Sequence, residues 1–175
     1  MSPEQGSDTE LVAGALAGDT EAFTALFERY YSMIYAFAYR LCFNKEDAQD
    51  VAQETFVRAA RSLGSFEKKA SFKPWLYRIA VNASHDANRS LKRKERVAGV
   101  LAGVEEEQER LPDFSGLHRA LEALPENLRE AVALVFFEGM NHATAAQVLG
   151  CAETTVSWRI FTAKRKLKRL LEVGE

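Results

Sequence analysis

Apolar residues recur along most of this chain with a period close to 3.6, and strict alternation of apolar and polar positions is nowhere sustained. No Asn-Gly or Asp-Gly pair joins two apolar runs, so hairpins are not expected and the predicted class is all-α. The pattern predicts helices over Asp8–Ala17, Thr20–Leu41, Lys45–Leu63 and Phe72–Lys94 in the first half, and over Leu117–Leu124, Pro125–Glu138, His142–Leu149 and Glu153–Leu171 in the second. Gly18-Asp19, Asn44 and the longer segment Gly64–Ser71 are the breaks of the first half. Val97–Gly116 combines glycines, acids and Leu111-Pro112-Asp113, and reads as a flexible connector. The expected organisation is therefore two small helical domains, 1–97 and 116–175, with an acidic linker over 98–115.

Two helices carry more than one pattern. In Phe72–Lys94, Phe72, Trp75, Leu76, Ile79, Ala80 and Ala83 recur at i, i+3, i+4, i+7, i+8 and i+11, the stripe of a core-facing helix. A second face holds Arg78, Asn82, His85, Arg89 and Arg93, a polar and basic track that suits a nucleic-acid backbone or simply solvent. In Lys45–Leu63, Ala48, Val51, Ala52, Thr55, Phe56 and Ala59 point inward and Asp47, Asp50, Gln53, Glu54 and Arg58 outward. That acidic, amide-rich face fits a basic helical partner, and by itself it is also an ordinary amphipathic helix.

The second half ends in a sharper signal. Ala146 is small where two helices must cross closely, Gly150 permits a tight turn, and Val156 returns an apolar side chain to a shared core. From Trp158 to Leu171 the charged residues are Arg159, Lys164, Arg165, Lys166, Lys168 and Arg169, with no acid among them. A helix-turn-helix whose second helix runs into uncompensated positive charge is built to meet DNA, although such three-helix units also occur as pure packing motifs.

Composition narrows the classes. The 175 residues are 47% hydrophobic and 27% charged, the balance of a soluble globular protein, and no apolar run approaches the about 20 residues of a membrane span. Without a basic-then-apolar leader pattern, a cytoplasmic protein without membrane insertion is the expectation. The net charge of −2 argues against coating nucleic acid by charge alone, but the basic run Arg89–Arg96 and the basic C-terminal helix flank an acidic stretch at Glu105, Glu106, Glu107, Glu109 and Asp113. Cys42 and Cys151 are far apart, and His85, His118 and His142 are scattered singly, so neither a zinc site nor a disulfide framework is expected. The lone thiols read as inert core residues. No nucleophile with a base, phosphate loop or metal cluster is legible, and the expectation is a non-enzyme without cofactor or small-molecule substrate.

Set in order, Asp47-Ala-Gln-Asp-Val-Ala-Gln-Glu-Thr-Phe-Val-Arg-Ala, Ser71-Phe-Lys-Pro-Trp-Leu-Tyr-Arg-Ile-Ala-Val-Asn, Leu124-Pro-Glu-Asn-Leu-Arg-Glu-Ala and the helix-turn-helix make the chain resemble a bacterial RNA polymerase sigma factor of the extracytoplasmic function (ECF) subfamily. The resemblance covers about Glu10–Val97 and Gly116–Leu171 and implies an initiation factor that binds core RNA polymerase and opens promoter DNA. It implies a polymerase-binding face at Asp47, Asp50, Gln53, Glu54 and Arg58. For the minus-ten element it implies Ser65, Phe66, Lys69, Phe72, Lys73, Arg78, Asn82, His85, Arg89, Lys92 and Arg93, with Asn82 near a captured base. For the minus-thirty-five element it implies Glu153, Thr154, Thr155, Ser157, Trp158, Arg159, Phe161, Thr162, Lys164 and Arg165. An anti-sigma factor clamped between the domains is the implied regulator, and the acids of the linker would take a path near the polymerase active centre. The chain departs from the family where its recognition helix reads Ser157-Trp158-Arg159-Ile160, where Thr162 replaces a frequent Arg, and where Ala145 replaces a larger apolar residue, so promoter preference is its own. Read from residues alone, an autonomous helix-turn-helix regulator with a sensing or dimerising first half is the alternative. An unfamiliar enzyme built on the first bundle is the more distant rival.

Overall fold

Short polar side chains at the breaks decide where the helices begin. Ser7 and Glu10 form a reciprocal capping box at the start of α1 (Asp8–Leu16), and the Asp19 carboxylate accepts from the Glu21 and Ala22 amides to open α2 (Thr20–Cys42). Asn44 accepts from the Asp47 amide at 3.0 Å to open α3 (Lys45–Ser62), and a 3₁₀ turn over Leu63–Ser65 closes it. Together with α4 (Phe72–Val97) these make the first half. The computed structural model describes residues 6–67, 69–99 and 115–173. Most of the expected linker, with Glu105, Glu106, Glu107 and Glu109, lies outside the described residues, as does Lys68 in the Gly64–Ser71 segment.

The second half has α5 (Ser115–Glu122), α6 (Glu126–Val132), α7 (His142–Leu149) and α8 (Glu153–Val173). Pro125 starts α6, its carbonyl accepting from the Leu128 and Arg129 amides. One π-helical turn, Ala133–Phe137, extends α6 and inserts an extra residue into its register. Asn141 caps α7 through the Thr144 amide at 2.8 Å, and Gly150 ends it at φ 63°, the left-handed conformation expected at a helix-turn-helix turn. Among the described residues every regular element is helical, as the periodicity predicts.

In the first half, α2 packs along α1 and α3, and α4 lies across α2 and α3. Leu26, Ile34, Phe37, Leu76 and Tyr77 are fully enclosed, with Phe37 and Tyr77 edge to face at 5.0 Å and Phe27 and Phe56 at 4.8 Å. Each such side chain is worth about 1.5–3 kcal/mol of burial. In the second half α8 is the hub, packed on α5, α6 and α7 around Leu124, Leu134, Val156 and three fully or nearly enclosed alanines, Ala145, Ala146 and Ala163. The small alanines let α7 and α8 approach closely, including at Ala145.

The two halves are not held apart. One continuous buried cluster runs from Leu11 through α2 and α4 to Ala163, because α7 lies on α4 while α6 and the π turn reach α2. Phe43 shows how tightly the seam constrains the chain: it adopts φ 55°, unfavourable for a bulky residue by about 1–3 kcal/mol. This conformation reverses the chain between α2 and α3 and buries the Phe43 ring against His118 (4.8 Å) and beneath the Arg129 guanidinium (4.9 Å).

Candidate nucleic-acid and partner interfaces

The core stripe of α4 points where its pattern says: Phe72, Leu76, Ala80 and Ala83 are buried and Trp75 and Ile79 half-buried. Its polar track is less uniform. Arg78, Asn82, Arg89, Lys92 and Arg93 are exposed, whereas Lys73 and His85 are drawn into the seam. Lys73 Nζ donates to the Glu138 carbonyl at 3.4 Å and lies over the Tyr77 ring, and His85 Nε2 bonds the Glu130 carboxylate. Arg89 pairs with Asp86, which also accepts from Arg58 Nη1 at 2.7 Å. Ser65 and Lys69 are exposed beside α4. Phe66 and Phe72, expected among the DNA-facing residues, lie in the core instead: Phe66, Phe72 and Trp75 form an aromatic cluster with centroids 5.1–6.0 Å apart. Their rings brace the loop, and the cleft between α1 and this loop is lined by Val12, Leu16, Phe66, Lys69 and Lys73.

The acidic face of α3 is presented largely as predicted, with Asp50 and Gln53 exposed and Asp47 and Glu54 half-buried. Burial and the neighbouring Asp50 charge raise the Asp47 carboxyl above its ordinary range. Arg58 is less an outward cation than a bracket: its Nε donates to Glu54 and its Nη1 to Asp86, both at 2.7 Å, which ties α3 to α4. The Arg58 hydrogen bond, and then that from Arg89, hold Asp86 below the usual carboxylate range. Exposed Val57 adds an apolar point that the outward pattern did not include, in a shallow groove between α3 and α4.

Around Gly150, α7 and α8 form the helix-turn-helix. Val156, Ile160 and Ala163 line the buried side of α8, and Thr154, Trp158, Phe161 and Arg165 the side facing away from the molecule. Glu153 and Lys164 are exposed as well; Thr155, Arg159 and Thr162 are half-buried at the flanks. Ser157 is held by His142 Nδ1 at 2.8 Å and donates to the Glu153 carbonyl at 3.2 Å, so it braces the turn. Of the basic residues from Arg159 to Arg169, Lys168 alone forms a salt bridge among the described residues, to Glu172.

The seam itself was missed by the periodicity reading. Glu138 receives the Tyr77 hydroxyl and Arg40 Nη1, and Arg40 stacks over Phe137 at 4.4 Å. Asn88 Nδ2 donates to Glu126 at 2.6 Å. Arg129 donates to the Leu41, Leu124 and Glu122 carbonyls at 2.7, 2.9 and 3.1 Å, satisfying an otherwise orphaned carbonyl at the end of α2. Burial, then the Glu138 carboxylate, drives the Tyr77 hydroxyl well above its normal range. Burial likewise raises the Glu130 carboxyl, and the His85 charge and hydrogen bond draw it partly back. His85, Glu126 and Glu130 bring three potential ligand atoms within 4.8 Å of one another, and this is the group among the described residues that could offer a cation three ligands. A legible sign existed: Tyr77, Val81 and Ser84 recur at i, i+4 and i+7, a second line of buried residues on α4 beside the core stripe.

Residues 26–94 match the Sigma-70 region 2 family and residues 115–167 the Sigma-70, region 4 family. The chain is 34% identical to the RNA polymerase sigma-H factor of Pseudomonas aeruginosa, covering 96% of this chain and 95% of that one. It is 37% identical to the ECF RNA polymerase sigma factor SigM of Mycobacterium tuberculosis, covering 94% and 85%. Among solved structures it superposes on the sigma factor RpoE in complex with the anti-sigma factor NepR from Bartonella quintana, with a TM-score of 0.75, 28% identity and coverage of 89% and 100%.

Proposed function

The chain belongs to the ECF RNA polymerase sigma factors, and on that premise we propose how its own residues direct the polymerase to promoters and how the step is held in check. It is a promoter-directing initiation factor. Asp47, Asp50, Gln53 and Glu54 on α3 form the surface for core polymerase, where a basic helical partner would find both charge and amide groups. Arg78, Asn82, Arg89, Lys92 and Arg93 on α4 hold the non-template strand of the minus-ten element. Asn82 offers the amide donor and acceptor that a base unstacked from the duplex requires. The outward side of α8 enters the major groove of the minus-thirty-five element, flanked by phosphate contacts from Lys164 and Arg165. This assignment divides the chain at 1–97 and 116–175, and makes it a binding factor acting in the cytoplasm without chemistry on the DNA. No helix among the described residues is long and apolar enough to cross a membrane.

The observation that carries this reading is that one chain presents a polar α4 track and a strongly basic recognition helix on opposite sides of the connector in sequence, in the order of regions 2 and 4. The seam adds regulation. Lys73 and His85 of the minus-ten track are engaged by Glu138 and Glu130, so the closed arrangement withholds part of that track, and an anti-sigma partner that stabilises closure would silence the factor. Run-off transcription with purified core polymerase, combined with permanganate footprinting of unpaired thymines, tests the assignment. A transcript and bubble that depend on the protein, with Asn82→Ala losing the bubble while retaining core binding, are expected. Salt-sensitive binding of the protein alone to duplex DNA, with no association with core, would replace it by the autonomous regulator.

A further inference from the structure

Trp158 and Phe161 are the most exposed large rings of the described residues, at 59% and 60%. They occupy the line of α8 that faces directly away from the buried Val156, Ile160 and Ala163, in the sequence Thr154, Trp158, Phe161, Arg165 at i, i+4, i+7 and i+11. An indole and a phenyl ring left more than half exposed there leave apolar area in water, which has a cost. What surrounds them is cationic. The Arg165 guanidinium lies 5.7 Å from the Phe161 ring centre, and exposed Lys164, Lys166, Lys168 and Arg169 continue the margin. An apolar strip that runs toward basic Lys164 and Arg165, on the outward line of the second helix of a helix-turn-helix, is complementary to the groove and phosphates of duplex DNA.

In the major groove, the apolar feature of a base edge is the C5-methyl group of thymine. The geometry points to Trp158 and Phe161 as a thymine-methyl reader: the two rings seat on C5-methyls of adjacent base pairs in the upstream promoter element, while Arg165 and Lys164 hold the flanking phosphates. Three residues of helix advance about 4.5 Å, which is comparable to the step between stacked base pairs. The pair therefore reads neighbouring positions. This inference rests on the reading that α8 enters the minus-thirty-five element, and it supplies the chemistry of what is read there.

The test uses holoenzyme assembled from core polymerase and the full chain, on a promoter library randomised over the upstream element. Templates recovered from productive initiation are sequenced, and each enriched thymine is then replaced singly by deoxyuridine, which removes the methyl group and nothing else. The expected result is a thymine-containing element in which uracil at one or two adjacent positions weakens holoenzyme binding about 3- to 5-fold, as loss of one buried methyl group implies. Trp158→Ala and Phe161→Ala holoenzymes each lose the uracil effect at one of the two positions, and the double variant binds thymine and uracil templates equally. Arg165→Ala weakens both templates alike and lowers the salt dependence of binding. Both rings are exposed, and unchanged helical circular dichroism verifies that the variants fold. An enriched element on which uracil has no effect, or a Trp158→Ala, Phe161→Ala double variant that keeps the thymine preference, overturns the methyl reader while leaving the sigma-factor reading intact. A library with no enriched upstream element overturns both.

Discussion

Helices α4 and α8 are both long, both carry basic residues on an outward side, and both lie in regions that meet promoter DNA in our reading, yet the fold treats them differently. On α8 one line of residues is buried and the opposite line, from Thr154 to Arg165, is open. On α4 two lines are buried, the Phe72–Ala83 stripe and the Tyr77–Val81–Ser84 line, and the second half takes up Lys73, His85 and Asn88 from the remaining side. A polar face with the right composition is thus not yet an available face. Its availability depends on where the rest of the chain docks, and here docking covers part of the polar α4 track while the outward line of α8 stays free.

The strongest way to break this asymmetry is Arg129→Ala. The variant loses three carbonyl contacts and the stack on Phe43, and leaves the Leu41 carbonyl unsatisfied at the seam. A stability loss of about 2–4 kcal/mol in urea unfolding is expected, with Arg129→Lys failing to restore it because the ammonium lacks the guanidinium fork. Glu138→Ala is expected to act more selectively, removing the acceptor shared by Tyr77 and Arg40 and favouring separation of the halves by about 1–3 kcal/mol. Energy transfer between dyes at exposed Ala60 on α3 and Lys166 on α8 reads that separation. An efficiency equal to that of the unaltered chain would show that the seam does not depend on this carboxylate.

Proton linkage sharpens the comparison with a smaller effect. The Glu130 carboxyl is raised in the closed state by burial, with His85, Glu126 and Arg159 as the charged groups facing it. A raised acid means that the closed form binds the proton more tightly than the open form. Its contribution to closure is fully present below the ordinary value of 4.5 and is lost as pH rises through the raised value. Energy transfer should fall over that interval, and Glu130→Gln should flatten the dependence. The mildest probe is Cys42, whose thiol burial pushes up to about 11. At neutral pH it should alkylate slowly, and mass spectrometry should find a faster rate in Glu138→Ala as the end of α2 becomes solvated.

Much of the architecture was legible beforehand. The expected Phe72–Lys94 helix is found as Phe72–Val97 and Lys45–Leu63 as Lys45–Ser62, and Asn44, Asp19 and Asn141 set the starts of α3, α2 and α7 through contacts two or three residues away. The buried side of α3 and the roles of Ala146, Gly150 and Val156 also follow from local periodicity. The π turn at Ala133–Phe137 did not, since nothing in its residues differs from an ordinary helix and the extra residue is accommodated against α2 and α7. Phe72 is buried as its place in the core stripe of α4 predicts, while Phe66, at a loop edge where no period applies, is drawn into the core by the Trp75 and Phe72 rings.

The division between the two sources of information follows the range of the forces involved. Capping, helical period and charge order act within a few residues, so helix limits, the recognition-helix turn and the composition of the candidate polymerase and DNA faces are legible in the sequence alone. The seam joins Tyr77 to Glu138 across 61 positions and Arg129 to Leu41 across 88. No local pattern couples such pairs. Desolvation at a shared surface does, and that surface, which exists only once the halves meet, decided which charges are buried, which thiol is masked and which side chains of the polar α4 track are free.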